Sequence, residues 1–165
     1  MNEAQRLVDL IPRLRRYARA LVSDRASADD LVQDTLERAW AKLHLYRRGT
    51  DLRAWLFTVM HNVHVNKVRS ARPTDPLEDE MPELAQRAAQ GDSLVVRDLD
   101  RAIARLPDEQ RAVLLLVTLE EMSYDQVARA LGIPIGTVMS RLSRAREKLR
   151  AMMLGQAAAK LKVVK

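Results

Sequence analysis

Leu7, Leu10, Ile11, Leu14, Tyr17, Ala18 and Leu21 recur at intervals of three and four, the spacing of a helix with one buried face. Ser27 reads as the N-cap of a second helix, with Asp29 and Asp30 in a first turn where the macrodipole favours acids. Along that helix Leu31, Val32, Thr35, Ala39 and Leu43 fall on one side, while Asp30, Asp34, Glu37 and Ala41 lie opposite. An acidic outer stripe results. Arg47-Arg48-Gly49-Thr50 breaks the pattern, and a third helix is expected from about Asp51 to Ser70, with Leu52, Leu56, Val59 and Val63 inward.

The period stops at Pro73. Between Pro73 and Glu83 stand three prolines and five acids, which break helices and favour solvent, so the stretch reads as a linker. Helical patterning resumes over 94–106 and again over 109–119, where Pro107-Asp108-Glu109 suits a helix start. The most specific segment follows. Ser123 with Gln126 forms a capping box, Gly132 ends a short helix, and Pro134 precedes a longer one with Ile135, Val138, Leu142, Ala145 and Leu149 inward. This is a helix-turn-helix.

Charge sharpens the division. Residues 1–72 carry 14 basic and 8 acidic side chains, residues 73–93 carry 1 and 6, and residues 94–165 carry 13 and 8, for nets of +6, −5 and +5. Few glycines and 4% aromatics in 165 residues favour helix over sheet. The expected fold class is therefore all-α: two small helical domains, 1–72 and 94–165, joined by the acidic, Pro-containing linker 73–93. A linker of net −5 between two basic domains could also shield their DNA-binding faces. The overall +6 points to a polyanion. Absence of cysteine excludes disulfides, thiol nucleophiles and thiolate metal sites. No run approaches a membrane span, and the N-terminus lacks the order of a secretory signal. The chain is expected to be cytoplasmic, without membrane insertion of its own. With no domain after the helix-turn-helix, no sensory extension is expected.

Two faces carry candidate chemistry. On the third helix Trp55, Thr58, Asn62 and Arg69 share a stripe that could stack on and hydrogen-bond an unpaired base; core filling by Trp55 is the alternative. On the last helix Gly136, Thr137, Ser140, Arg144 and Lys148 face outward with Arg141 at the flank, and residues 139–165 hold 8 basic side chains against 1 acid. Small residues there allow close approach to a major groove, and Ser and Arg can reach phosphates and base edges.

The two halves together resemble the extracytoplasmic-function (ECF) sigma factors of bacterial RNA polymerase. Asp30-Leu31-Val32-Gln33-Asp34-Thr35 with Trp40 is similar to the family's polymerase-binding helix, and Asp51-Leu52-Arg53-Ala54-Trp55-Leu56-Phe57-Thr58 through Asn62 to its promoter-melting helix. Leu106-Pro107 with Arg111, then Met122-Ser123-Tyr124 through Gly136-Thr137-Val138 and Arg141-Leu142-Ser143-Arg144-Ala145-Arg146, resembles its fourth region. The resemblance implies an alternative sigma factor that binds core RNA polymerase and directs promoter-specific transcription initiation. Asp30, Gln33 and Asp34 would meet polymerase. Arg53, Trp55, Thr58, Asn62 and Arg69 would serve the minus-ten element. Ser123, Tyr124, Gly136, Thr137, Met139, Ser140, Arg141, Arg144, Arg146 and Lys148 would serve the minus-thirty-five element. It implies promoter DNA and an anti-sigma factor as further partners, no cofactor, and no enzymatic activity. Met139 and Ser143 depart from what many members carry.

Three rivals compete with that reading. A helix-turn-helix repressor leaves the Asp30 and Asp34 stripe unexplained. A mimic that copies the fold to sequester a partner has no need of basic residues on the recognition helix. His61 and His64 are three apart, yet no carboxylate is expected beside them, so neither metal nor enzymatic chemistry is supported.

Overall fold

The computed structural model describes residues 2–71 and 94–163, so the expected linker 73–93 and its shielding role lie outside the described residues. Seven α-helices account for those residues: α1 (Glu3–Leu21), α2 (Arg25–Ala41), α3 (Leu52–Ser70), α4 (Leu94–Ala104), α5 (Asp108–Thr118), α6 (Tyr124–Leu131) and α7 (Ile135–Val163). A 3-10 turn, Leu43–Leu45, follows α2.

Four of the helices, α1, α2, α3 and α6, begin where a side chain takes up an orphan amide. Asn2 caps α1 by accepting from Gln5 N at 2.9 Å, and Asp51 caps α3 by accepting from Ala54 N at 3.2 Å. The cap of α2 is Asp24 and not Ser27. The Asp24 carboxylate accepts from both the Ser27 amide, at 3.0 Å, and its hydroxyl, at 2.8 Å. Helix α2 thus starts a turn earlier than Ser27 implied, and Asp29 and Asp30 fall in its second turn. A carboxylate three residues ahead of the serine wins because it satisfies both donors at once.

The inward faces agree with the periodicity. Leu7, Leu14, Tyr17, Ala18 and Leu21 of α1, Leu31, Val32, Thr35 and Ala39 of α2, and Leu52, Leu56, Val59 and Val63 of α3 are all buried. Tyr17 and Phe57 meet edge to face at 5.1 Å, a favoured aromatic geometry. In the second half, α5 packs against α7 and α6 in turn against α7. Val113, Val127, Val138, Leu142 and Ala145 lie at the centre.

These two halves are not separate bodies. Helix α6 packs against α3, and α4 and α5 pack against α1, so buried residues form one cluster across both. Arg111 is one of the polar ties between them. Its guanidinium donates to the carbonyls of Ile103, Ala104 and Leu106 at the end of α4, at 3.1, 3.2 and 2.8 Å, and to Leu21 at the end of α1, at 2.7 Å. One fixed fork of donors thereby satisfies the orphan carbonyls of two helix C-termini.

Candidate functional site

Helix α2 turns its acids away from the core. Asp30, Gln33 and Glu37 are exposed and Asp34 is half-buried. Trp40, on the same helix, is 64% exposed, and Leu45, just beyond it, 65%. Large apolar side chains exposed beside a charged stripe are what a protein-binding surface requires. Lys67, near the end of α3, bonds both Asp30 and Asp34, and the two carboxylates raise the pKa of its ammonium. The acidic pair is therefore spaced by a cation of the same domain.

The outward stripe of α3 is mixed in its commitments. Asn62 and Arg69 are exposed. Trp55 is half-buried, its ring 5.5 Å from that of Tyr46, while the Thr58 hydroxyl donates to Ala54 O at 2.9 Å within its own helix. Trp55 is in part a core residue, packed against the buried cluster as well as beside Tyr46. Arg53 points elsewhere, donating to Glu120 O of the second half at 2.8 Å.

The helix-turn-helix forms as its local residues dictate. Ser123 N donates to Gln126 Oε1 at 2.8 Å and Gln126 N to Ser123 Oγ at 3.2 Å, which completes the capping box. Gly132 closes α6 at φ +66°, in the left-handed region that glycine enters without penalty. On α7, Gly136, Met139, Ser140, Arg144, Arg146 and Lys148 are exposed and Thr137 is half-buried. Arg141 is half-buried and paired with Glu109 at 3.5 Å. Tyr124 packs partly against the core, and Ser123 is held by its cap. Of the basic run expected over 139–165, the side chains beyond Gly155 lie outside the described ones.

Two expectations fail here. Ile135 was expected inward and is 41% exposed. As the first residue of α7 its side chain leans back past the helix start, beyond the α5 and α6 surfaces that bury Val138. His64 was expected to lack a carboxylate, yet its Nε2 lies 2.9 and 3.1 Å from the two oxygens of Asp108, 44 residues away. Burial would raise the Asp108 pKa, but the hydrogen bond and charge of His64, with the charge of Arg111, hold it below the usual carboxylate range. Burial and then His64 lower the pKa of His61. Among the described residues no group of three metal-ligating side chains converges, and no helix is long and apolar enough to cross a membrane.

Arg16, Asp108, Arg111 and Glu120 are the residues that spacing could not single out for their contacts. Each acts across the two halves, and only the resemblance marked one of them, Arg111.

Comparison with known proteins bears on both halves. Residues 7–61 match the family described as the Sigma2 domain of PhyR, and residues 97–149 match Sigma-70, region 4. The ECF RNA polymerase sigma factor EcfG of Rhodopseudomonas palustris (strain TIE-1) is 36% identical over 145 residues, covering 87% of this chain and 80% of that protein. The chain belongs to the ECF sigma factors. It is an alternative sigma factor, a protein that binds core RNA polymerase and directs promoter-specific transcription initiation. The sigma factor SigM of Mycobacterium tuberculosis is 38% identical over 144 residues, 86% of this chain and 71% of the relative. Among solved structures, the sigma factor RpoE in complex with the anti-sigma factor NepR from Bartonella quintana superposes with a TM-score of 0.78 at 35% identity, over 91% of this chain and 95% of that one. Among the described residues the fold of this ECF sigma factor is all-helical, with a sigma2 half and a sigma4 half.

Proposed function

We propose a division of labour among its three exposed surfaces. Asp30, Gln33 and Asp34, with Trp40 beside them, engage polymerase. Residues 1–72 melt and hold the minus-ten element through Asn62, Arg69 and Trp55, with Arg53 and Thr58 on the same helix. Residues 94–165 read the minus-thirty-five element through α7, where Ser140 and Arg144 address base edges and Arg146 and Lys148 address phosphates. Gly136 and Thr137 allow close approach at the helix start. Ser123 and Tyr124, Met139 and Arg141 border that surface. Residues 73–93 join the two units.

The observation that carries this reading is the separation of charge. One chain presents an acidic, tryptophan-bearing surface on α2 and a basic, small-residue surface on α7. A repressor has use for the second alone. An anti-sigma factor is proposed as a further partner, on the strength of the NepR complex of the RpoE relative. The protein acts in the cytoplasm and performs no catalytic chemistry of its own; polymerase does.

Asn62→Ala tests the minus-ten assignment. Asn62 is exposed, so the change removes hydrogen bonds with little loss of packing. Permanganate footprinting of the holoenzyme on its promoter should show reduced reactivity of unpaired thymines and relaxed minus-ten specificity. Normal reactivity together with normal specificity would remove base capture from this position.

A further inference from the structure

Helix α7 presents two different surfaces in succession. From Arg144 onward its exposed side chains are chiefly cationic, with Arg146, Lys148 and Arg150 following at short intervals. The preceding stretch, residues 135–143, contains a single charged side chain, Arg141, which is half-buried and paired with Glu109 at 3.5 Å. Attraction to phosphate is therefore not what this end offers DNA.

It offers two large apolar side chains instead. Ile135 is 41% exposed and Met139 48%, and four residues apart they stand one above the other on the same side of the helix. Ser140, beside Met139, has its hydroxyl donating to Thr137 O at 3.2 Å, which leaves it to act as an acceptor. Gly136 lies between Ile135 and Met139 in sequence, and nothing stands within 4 Å of the place its Cβ would take. Glycine weakens a helix relative to alanine, and no packing within the chain requires it there. A surface that approaches the backbone from outside does.

Single exposed apolar residues are ordinary on a protein. Position distinguishes this pair, because the N-terminal residues of a helix-turn-helix recognition helix are those that meet base edges in the major groove. Of the groups displayed there, one is apolar: the C5-methyl of thymine. The other edges carry donors and acceptors, which an isoleucine cannot satisfy and a thioether satisfies only weakly. Pressing apolar carbon on them opposes binding.

We propose that Ile135 and Met139 read thymine methyl groups in the minus-thirty-five element, so that the promoter of this sigma factor carries at least one A·T pair beneath the start of α7. The proposal rests on the assignment of that element to α7. Ile135 satisfies the period of the buried face, yet its exposure makes it a specificity residue. The branched Ile135 is stiff and fixes one contact, while the flexible Met139 adapts to the neighbouring base step. A protein chain is the rival occupant of an apolar pair, but the cationic run that continues the same helix suits a nucleic acid.

Holoenzyme assembled from core polymerase and the full chain, on a promoter recovered by runoff transcription, provides the test. Each thymine of the minus-thirty-five element, on either strand and one at a time, is replaced by deoxyuridine in synthetic duplex free of methylated cytosine. Uracil keeps the donors and acceptors of thymine and lacks only the methyl. Competition binding should show a loss of about fourfold at one or two positions, the worth of one buried methyl-sized group. Ile135→Ala and Met139→Ala, both at exposed side chains, should each abolish the discrimination between thymine and uracil at one of those positions. Uracil tolerated by the parent at every position would overturn the proposal, as would parent-like discrimination in both variants, or an element with no A·T pair. Weaker association of either variant with core polymerase, with discrimination retained, assigns the pair to a protein surface and overturns it too. Exchanging the base pairs of the element one at a time isolates the underlying reading. If exchanges weaken binding while uracil does not, α7 reads the element without these methyl groups and only this inference falls; if neither has an effect, the minus-thirty-five assignment falls with it.

Discussion

Asp30→Arg combined with Asp34→Arg abolishes association of this sigma factor with core polymerase while leaving its fold intact. Both side chains are substantially exposed, at 62% and 40%, so the core of α2, built on Leu31, Val32, Thr35 and Ala39, is untouched. Two reversals change the local charge by four, and a complementary surface then meets like charge, which costs several kcal/mol across an interface. Lys67 adds to the effect. Bound to both acids in the parent chain, it faces two arginines in the variant and joins the repulsion. Far-ultraviolet circular dichroism should be unchanged, and co-purification with core should be lost. Retention of core by a folded variant would remove α2 from the polymerase interface.

Arg111→Ala has the largest expected effect on stability. Its guanidinium carries a charge that burial disfavours and that Asp108 supports, and it serves four carbonyls at the ends of two helices. Hydrogen bonds to a charged group contribute about 1.5–3 kcal/mol each, and partly buried acceptors left unpaired add to the loss. The bonds are not additive, so about 3–5 kcal/mol is expected overall. For a chain of this size that is a fall in Tm of roughly 10 °C or more. Arg111→Lys should recover only part, because an ammonium cannot span the ends of α4 and α1 together. A melting temperature within about 2 °C of the parent, in a thermal scan followed at 222 nm, would show that these carbonyls find other donors.

What could be read from the sequence is what neighbouring residues decide. The capping box of Ser123 and Gln126, the left-handed Gly132 and the buried face of α3 are fixed within a few positions, and the structure has them as the spacing implies. Ser27 shows the limit of a local rule. Two residues could cap α2, and Asp24 prevails because its carboxylate takes both donors of Ser27. Ile135 satisfies the period of α7 but lies before the point where that helix meets α5 and α6. Periodicity alone does not say where a packing partner stops.

The contacts between the halves were hidden for a different reason. Glu120 stands in a polar turn and reads as solvated; its partner Arg16 is 104 residues away. His64 lacks a carboxylate within its own helix and finds Asp108 from the second half. Arg53 belongs to the promoter-melting helix by resemblance, and only the packing of α6 against α3 reveals that it is already engaged. Such pairs depend on tertiary placement, which one sequence does not encode in any local pattern.

Runoff transcription with purified core polymerase tests the central claim most directly. On a genomic fragment library, the chain added to core should produce discrete transcripts absent from core alone. Their start sites should lie downstream of a shared pair of elements near positions ten and thirty-five. The same core with Asp30→Arg and Asp34→Arg should give none of them. Transcripts identical with and without the chain, from a polymerase that a known sigma factor does activate, would contradict the account.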